Sequence, residues 1–446
     1  MVRDWEVLDW EAPEAQTEDE TDHHLGGLPS ELLDKILFEI DATRDLAHFI
    51  VTARFVYQRF RVRRRAVLFR VLRNELGPVL ADARFLFVFP YSDPTDQAQY
   101  SVWLHLMAHV YHGMLRDSKA EDDMPIIQGD ALPHFEELKA ICRTVHDINF
   151  IADMYGTARL ASFDLGGGAS TPATGPLSRT ERRRIMRSFY RRQILSNTWA
   201  ATRRPKYWSH EDTTAISNRS THQGYELGLF GTMQPWEMQQ IDHADVFITR
   251  LCLALVHHSP PTPDGNPGIT PAQFNELFAH LHRLVRFLRT HPHVAERAAR
   301  DLAAAGELPH CSRLRDEYVN PYQMTPLLLA WQSDRATHFP DPVTDKWDRD
   351  GRAVPYIGDE VDLAPYGWVD ALGGRYVKWF GEGLHNLPRL PTGQTGPGRP
   401  SDRQFDALHR WRHAGFCLWD RERAEALKGL GMFGGELYTG WVFLLR

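Results

Sequence analysis

The segment from Leu28 to Phe60 constrains this chain more than any other. It opens with Leu28-Pro29, and Leu32, Leu33, Ile36, Leu37 and Ile40 then recur at i, i+1, i+4, i+5 and i+8. That spacing lays one wide apolar stripe along a short helix. Pro29 suits the first helical position, where a missing N–H costs nothing. Thr43 is a candidate side-chain cap for a second helix, with Leu46, Phe49 and Ile50 facing inward. A third helical stretch presents Phe55, Tyr57 and Phe60. Helices this short do not close a core alone, since domains below about 40 residues usually need a partner, a metal or disulfides. The segment holds no cysteine, so part of the stripe must be covered by the rest of the chain or by another polypeptide.

The remainder reads as a mostly α protein. At about 150 residues per domain, 446 residues suggest two or three domains. Residues 1–26 carry a run of Asp and Glu against one Arg, and are expected to form a disordered acidic tail. Residues 27–62 form the three-helix module. Residues 63–446 form a large, irregular α-helical domain with a loop-rich, aromatic C-terminal part. Pro/Gly-rich stretches at 165–176, 259–270 and 388–401 read as exposed loops. Between them, helical spacing predicts helices over 97–115, 132–156, 178–200, 235–258, 271–289 and 294–304, with a short one near 403–412. Residues 338–390 are rich in Pro, Gly, Asp and Trp, and predict irregular loops with a short strand near Arg375–Phe380.

The ordered set Leu28-Pro29, Leu32 to Ile40, Asp45-Leu46 and Tyr57 to Phe60 resembles the F-box. Tyr57 stands where that family often has Trp, and Thr52-Ala53 replaces its common Val-Cys pair. Wider phrases are similar to a family of filamentous-fungal F-box domain-containing proteins. They are Leu177 to Ile185 with Phe189-Tyr190, Pro235 to Gln240, and Gly415 to Asp420 with Arg421 and Arg423. The resemblance implies an F-box-type adaptor. It would dock on the Skp-type linker of a cullin–RING ubiquitin ligase and recruit an unknown protein substrate, with no catalysis and no cofactor of its own. The implied partner-binding residues are Leu28, Pro29, Leu32, Leu33, Ile36, Leu37, Ile40, Leu46, Phe49 and Tyr57. The alternative is a non-catalytic helical binding or scaffold protein in which the stripe is ordinary core.

Other constellations carry less. A net charge of −7 argues against a general nucleic-acid coat. Dense arginine runs at Arg59–Arg73 and Arg179–Arg192 interleave with apolar residues at helical spacing, which favours solvated faces of amphipathic helices over phosphate-tracking patches. His105, His109 and His112 share a helix face but lack the glutamate of a zinc-hydrolase motif. Gly166-Gly167-Gly168 lacks the Gly-Lys-Ser/Thr of a nucleotide loop. His146-Asp147 and His243-Ala244-Asp245 are too generic for an acid/base pair. The four cysteines are far apart and predict buried, reduced thiols. No stretch approaches the roughly 18 apolar residues of a membrane span, and the acidic start does not resemble a signal peptide. These features predict an intracellular protein, cytoplasmic or nuclear.

Overall fold

A computed structural model describes residues 27–89, 100–120, 132–163, 172–198, 215–216, 228–259, 268–303, 356–367 and 414–430. The described part is mostly α, with no strand among the described residues. The acidic tail over 1–26, the loop at 388–401, the strand near 375–380 and the short helix near 403–412 lie outside the described residues. No helix among the described residues is long and apolar enough to cross a membrane.

The chain divides into two compact units, Met1–Pro90 with Gly113–Phe150, and Tyr91–His112 with Ile151–Arg446. In the first unit, α1 (Ser30–Glu39) and α2 (Thr43–Ile50) pack on α3 (Arg54–Leu76). α3 kinks at Arg63, next to the expected module boundary at residue 62. Beyond that kink (Arg63 φ −118°, ψ 20°) α3 continues as a second helical stretch to Leu76. Gly77, at φ 54°, ends α3 in a conformation that disfavours side chains, and a 3-10 turn over Gly77–Val79 leads into α4 (Leu80–Val88). Leu37, Leu46, Val56, Val67, Leu68, Val71, Leu72, Leu76 and Phe85 are fully buried and form this unit's core.

The second half of α3 fastens the first two helices. Asn74 Nδ2 donates to the carbonyls of Phe38 (2.8 Å) and Ile40 (3.0 Å), satisfying acceptors that the end of α1 leaves open. Glu75 accepts from the Thr43 backbone N–H at 2.8 Å and from Asn149 Nδ2 at 2.7 Å. Thr43 is therefore not a side-chain cap. Ala42 is the N-cap, and a distant carboxylate serves the Thr43 N–H instead.

α5 (Tyr100–Ala120) and α6 (Phe135–Ser162) contain the unit boundaries. In the second unit, α7 (Arg179–Asn197) packs on α8 (Pro235–His258), and α8 also packs on α11 (Pro292–Ala303). Tyr155, Phe189 and Phe247 meet edge to face in its core, with ring centroids 5.1–6.1 Å apart.

The helix expected over 271–289 is two helices, α9 (Pro271–Ala279) and α10 (Leu281–Thr290). His280 is extended at φ −127°, ψ 102°. Side chains of α7 serve the groups this break opens. Gln193 Oε1 accepts from Leu281 N–H at 2.8 Å, and Gln193 Nε2 and Ser196 Oγ donate to the Ala279 carbonyl at 3.0 and 2.7 Å. A last helix, α12 (Arg421–Gly429), follows a turn whose Trp419 is fully buried. Of the aromatic C-terminal stretch, 356–367 is described and forms turns.

Candidate functional site

Two features stand out, the stripe on α1 and the arginine helix α7. α1 begins at Ser30, with Pro29 as its N-cap, one residue earlier in role than the first helical position. The Pro29 carbonyl accepts from Leu32 and Leu33 N–H at 2.9 and 3.2 Å. The apolar stripe divides into two ridges. Leu33 and Leu37, one turn apart, are 6% and 0% exposed on the side that packs against α3. Leu32 and Ile36, also one turn apart, are 43% and 37% exposed.

Among the other residues of the implied contact set, Pro29 is exposed, Leu28, Ile40 and Phe49 are half-buried, and Leu46 and Tyr57 are buried. Leu33, Leu37, Leu46 and Tyr57 thus belong to the module's own core. The accessible part of the set is Pro29, Leu32 and Ile36 with Leu28, Ile40 and Phe49 at half exposure. Asp34 fixes the polar side of α1. Its carboxylate accepts from Arg59 Nε at 2.6 Å and lies 3.2 Å from Arg63 NH1.

The first arginine run is largely held within its own unit. Arg59 and Arg63 pair with Asp34, the Arg64 guanidinium sits 3.9 Å over the Phe135 ring, and Arg65 Nε donates to the Pro133 carbonyl at 3.1 Å.

The second run overturns the expectation of a solvated face. Ser178 and Glu181 form a capping box that starts α7. Arg179 is exposed and Arg182 and Arg183 are half-buried, but Arg184, Arg187, Arg191 and Arg192 are 0%, 1%, 4% and 0% exposed. Ile185, Met186, Phe189, Tyr190, Ile194 and Leu195 are buried around them, so the helix is covered on all sides from residue 184 onward.

Each buried guanidinium meets an acid. Arg184 NH1 donates to Asp420 Oδ1 at 2.8 Å, Arg187 NH1 to Asp362, Arg191 NH1 to Glu237 Oε1 at 2.7 Å, and Arg192 Nε to Asp245 Oδ1 at 3.2 Å. Burying a charge is tolerated only with such pairing. Burial lowers the Arg184 and Arg192 pKa values, against the pull of Asp420 and Asp245. Burial alone would raise Glu237, yet Arg191 and Arg187 outweigh it and bring it to about 2. Asp420 goes the other way. Burial raises it to about 6, against its Ser178 hydrogen bond and Arg184. The network joins three separate segments to α7, namely α8, the 356–367 turn and the start of α12, and acts as a brace.

The remaining candidates gather no site. Asp245, from the His243-Ala244-Asp245 triplet, is engaged by Arg192. His109 is exposed while His105 and His112 are half-buried, and no group of three His, Cys, Asp or Glu that could hold a metal occurs among the described residues. Cys142, Cys252 and Cys417 are buried free thiols. Burial pushes Cys252 up to about 12 and raises Cys142 as well, which keeps both protonated and unreactive.

No family model matches the sequence, and neither a curated protein nor a solved structure matches it. The reading of function rests on the residues themselves.

Proposed function

We propose that the outer ridge of α1 is a docking surface, and that the chain is an F-box-type adaptor. In this reading it binds the Skp-type linker of a cullin–RING ubiquitin ligase and recruits a protein substrate. It has no catalysis of its own, and an intracellular address, cytoplasmic or nuclear, goes with the role. Leu32 and Ile36 are the central contacts, with Leu28, Pro29, Ile40 and Phe49 around them. Leu33, Leu37, Leu46 and Tyr57 hold the surface from beneath. The observation that supports the reading is the exposure of Leu32 and Ile36, at 43% and 37%, on adjacent turns of a helix whose other ridge is closed. Helix faces with apolar anchors at this spacing are a recurring recognition mode.

The second reading, a helical binding or scaffold protein with no ligase role, is favoured by the closed ridge. Leu33 and Leu37 are ordinary core, and scattered exposed apolar side chains are normal on protein surfaces.

Co-purification of the full chain with the linker subunit separates the two. The adaptor reading expects retention by the natural chain and loss with L32D/I36D at unchanged helicity. A natural chain that never retains the linker leaves the scaffold reading.

A further inference from the structure

A tyrosine pair in the second unit already holds a cation. The rings of Tyr356 and Tyr366 meet edge to face, with centroids 5.3 Å apart at 87°. The Arg421 guanidinium carbon lies 5.8 Å from one centroid and 5.3 Å from the other, within the roughly 6 Å range of cation–π attraction. Arg421 Nε donates to Glu425 Oε1 at 2.8 Å. Glu425 also hydrogen-bonds Tyr366, and Asp359 hydrogen-bonds Tyr356. Two π faces and the Glu425 carboxylate thus surround one guanidinium.

The 356–367 wall of this site does not depend on the side chain inside it. Asp359 accepts from the backbone N–H of Arg421 at 3.1 and 3.2 Å, a contact that survives any change of that side chain. Buried Arg184 donates to the Glu360 carbonyl at 2.9 Å, and buried Arg187 donates to the Val361 carbonyl and to Asp362. Gly367 packs so closely on the Phe416 carbonyl that a Cβ would sit 2.3 Å from its oxygen. The occupant, by contrast, is loosely held. The Arg421 and Glu425 side chains are 54% and 47% exposed, and an exposed i, i+4 pair is screened by solvent and weak.

We infer that Tyr356, Tyr366 and Glu425, with Asp359 bracing Tyr356, form a recognition site for an arginine side chain of a partner polypeptide, with Arg421 as the resident occupant that a partner displaces. The inference goes beyond the docking reading and does not depend on it. The planar guanidinium suits the site because it can lie on a ring while its edge donates to a carboxylate, which an ammonium cannot do in the same way. Emptying the site leaves Glu425 without that cation, and Lys428 is the other cation acting on Glu425.

The test is a ligand-observed NMR titration of full-length protein with the blocked peptide acetyl-Gly-Arg-Gly-amide. A loosely held resident competes only modestly, so Arg421→Ala should bind the peptide about threefold tighter than the natural chain. Adding Tyr366→Ala should abolish that gain, and the lysine peptide should bind Arg421→Ala about tenfold more weakly than the arginine peptide. Arg421→Gln, judged by the same criteria, replaces Arg421→Ala if the latter loses helicity. No gain on removing Arg421, a gain that persists without Tyr366, or equal binding of the two peptides would each overturn the assignment.

Discussion

Glu181 and Arg423 face each other as a two-pronged ion pair across 242 residues of sequence. Arg423 Nε reaches Glu181 Oε1 at 2.9 Å and NH2 reaches Oε2 at 3.0 Å. The remaining donors of Arg423 go to the chain before α7, including the Ala173 carbonyl at 2.8 Å and the Pro176 carbonyl at 2.7 Å. The end of the stretch expected as an exposed loop over 165–176 is therefore gripped, and Ala173 is fully buried. Glu181 is also the capping-box residue of α7, so one carboxylate ties the start of α7 to α12.

Arg423→Met should destabilise the second unit by about 3–5 kcal/mol, because it leaves Glu181 buried without its cation. Adding Glu181→Gln should recover part of the loss. Denaturant unfolding of the two variants and the natural chain measures both effects, and a neutral Arg423→Met would show that the pair is not a brace.

Leu37→Ala should cost about 2–5 kcal/mol, as expected for removing a fully buried leucine side chain. Leu32→Asp should leave the thermal midpoint nearly unchanged, since that side chain is 43% exposed. Equal losses in the two variants would mean that the outer ridge is covered by the chain itself.

Acid should weaken the fold through Glu237. Its folded pKa, about 2, lies below the ordinary 4.5, because Arg191 and Arg187 outweigh the cost of burial. A depressed carboxylate contributes stability that is present above pH 4.5 and is lost as pH falls through about 2. Glu237→Gln should therefore lower the melting temperature at neutral pH, with a deficit that shrinks as the pH approaches 2. A deficit independent of pH would assign the loss to packing.

Two glycines should resist substitution. Gly415 has φ +68°, where a non-glycine residue costs roughly 1–2 kcal/mol, and its Cβ would sit 3.2 Å from the Trp419 ring. Gly367→Ala forces the 356–367 turn off the Phe416 carbonyl, at about 1–3 kcal/mol for overpacking. Melting temperatures near the natural value in both variants would contradict these close approaches.

Much of the helical framework was legible. The spacing that predicts a helix over 235–258 meets α8 at Pro235–His258, and Thr270-Pro271 opens α9 with a capping box. The break at His280 was not legible, because helical spacing continues across it and the groups that stabilise it come from Gln193 and Ser196 on another helix. The buried state of α7 has a signal in the sequence. Ile185, Met186, Phe189, Tyr190, Ile194 and Leu195 put apolar residues on every side of the helix, which marks a covered helix more than an amphipathic one.

On α1 the sequence determined that a helix carries Leu32, Leu33, Ile36 and Leu37 on one broad face, since that follows from about 3.6 residues per turn. Only the tertiary structure decided that Leu33 and Leu37 close against the module while Leu32 and Ile36 stay open. Likewise the sequence placed the arginines on α7, and the tertiary structure decided that they are inside. The acids that make burial affordable, Glu237, Asp245, Asp362 and Asp420, are far away in the chain. Periodicity is a local property, whereas the cost of burying a charge depends on which distant partner reaches it.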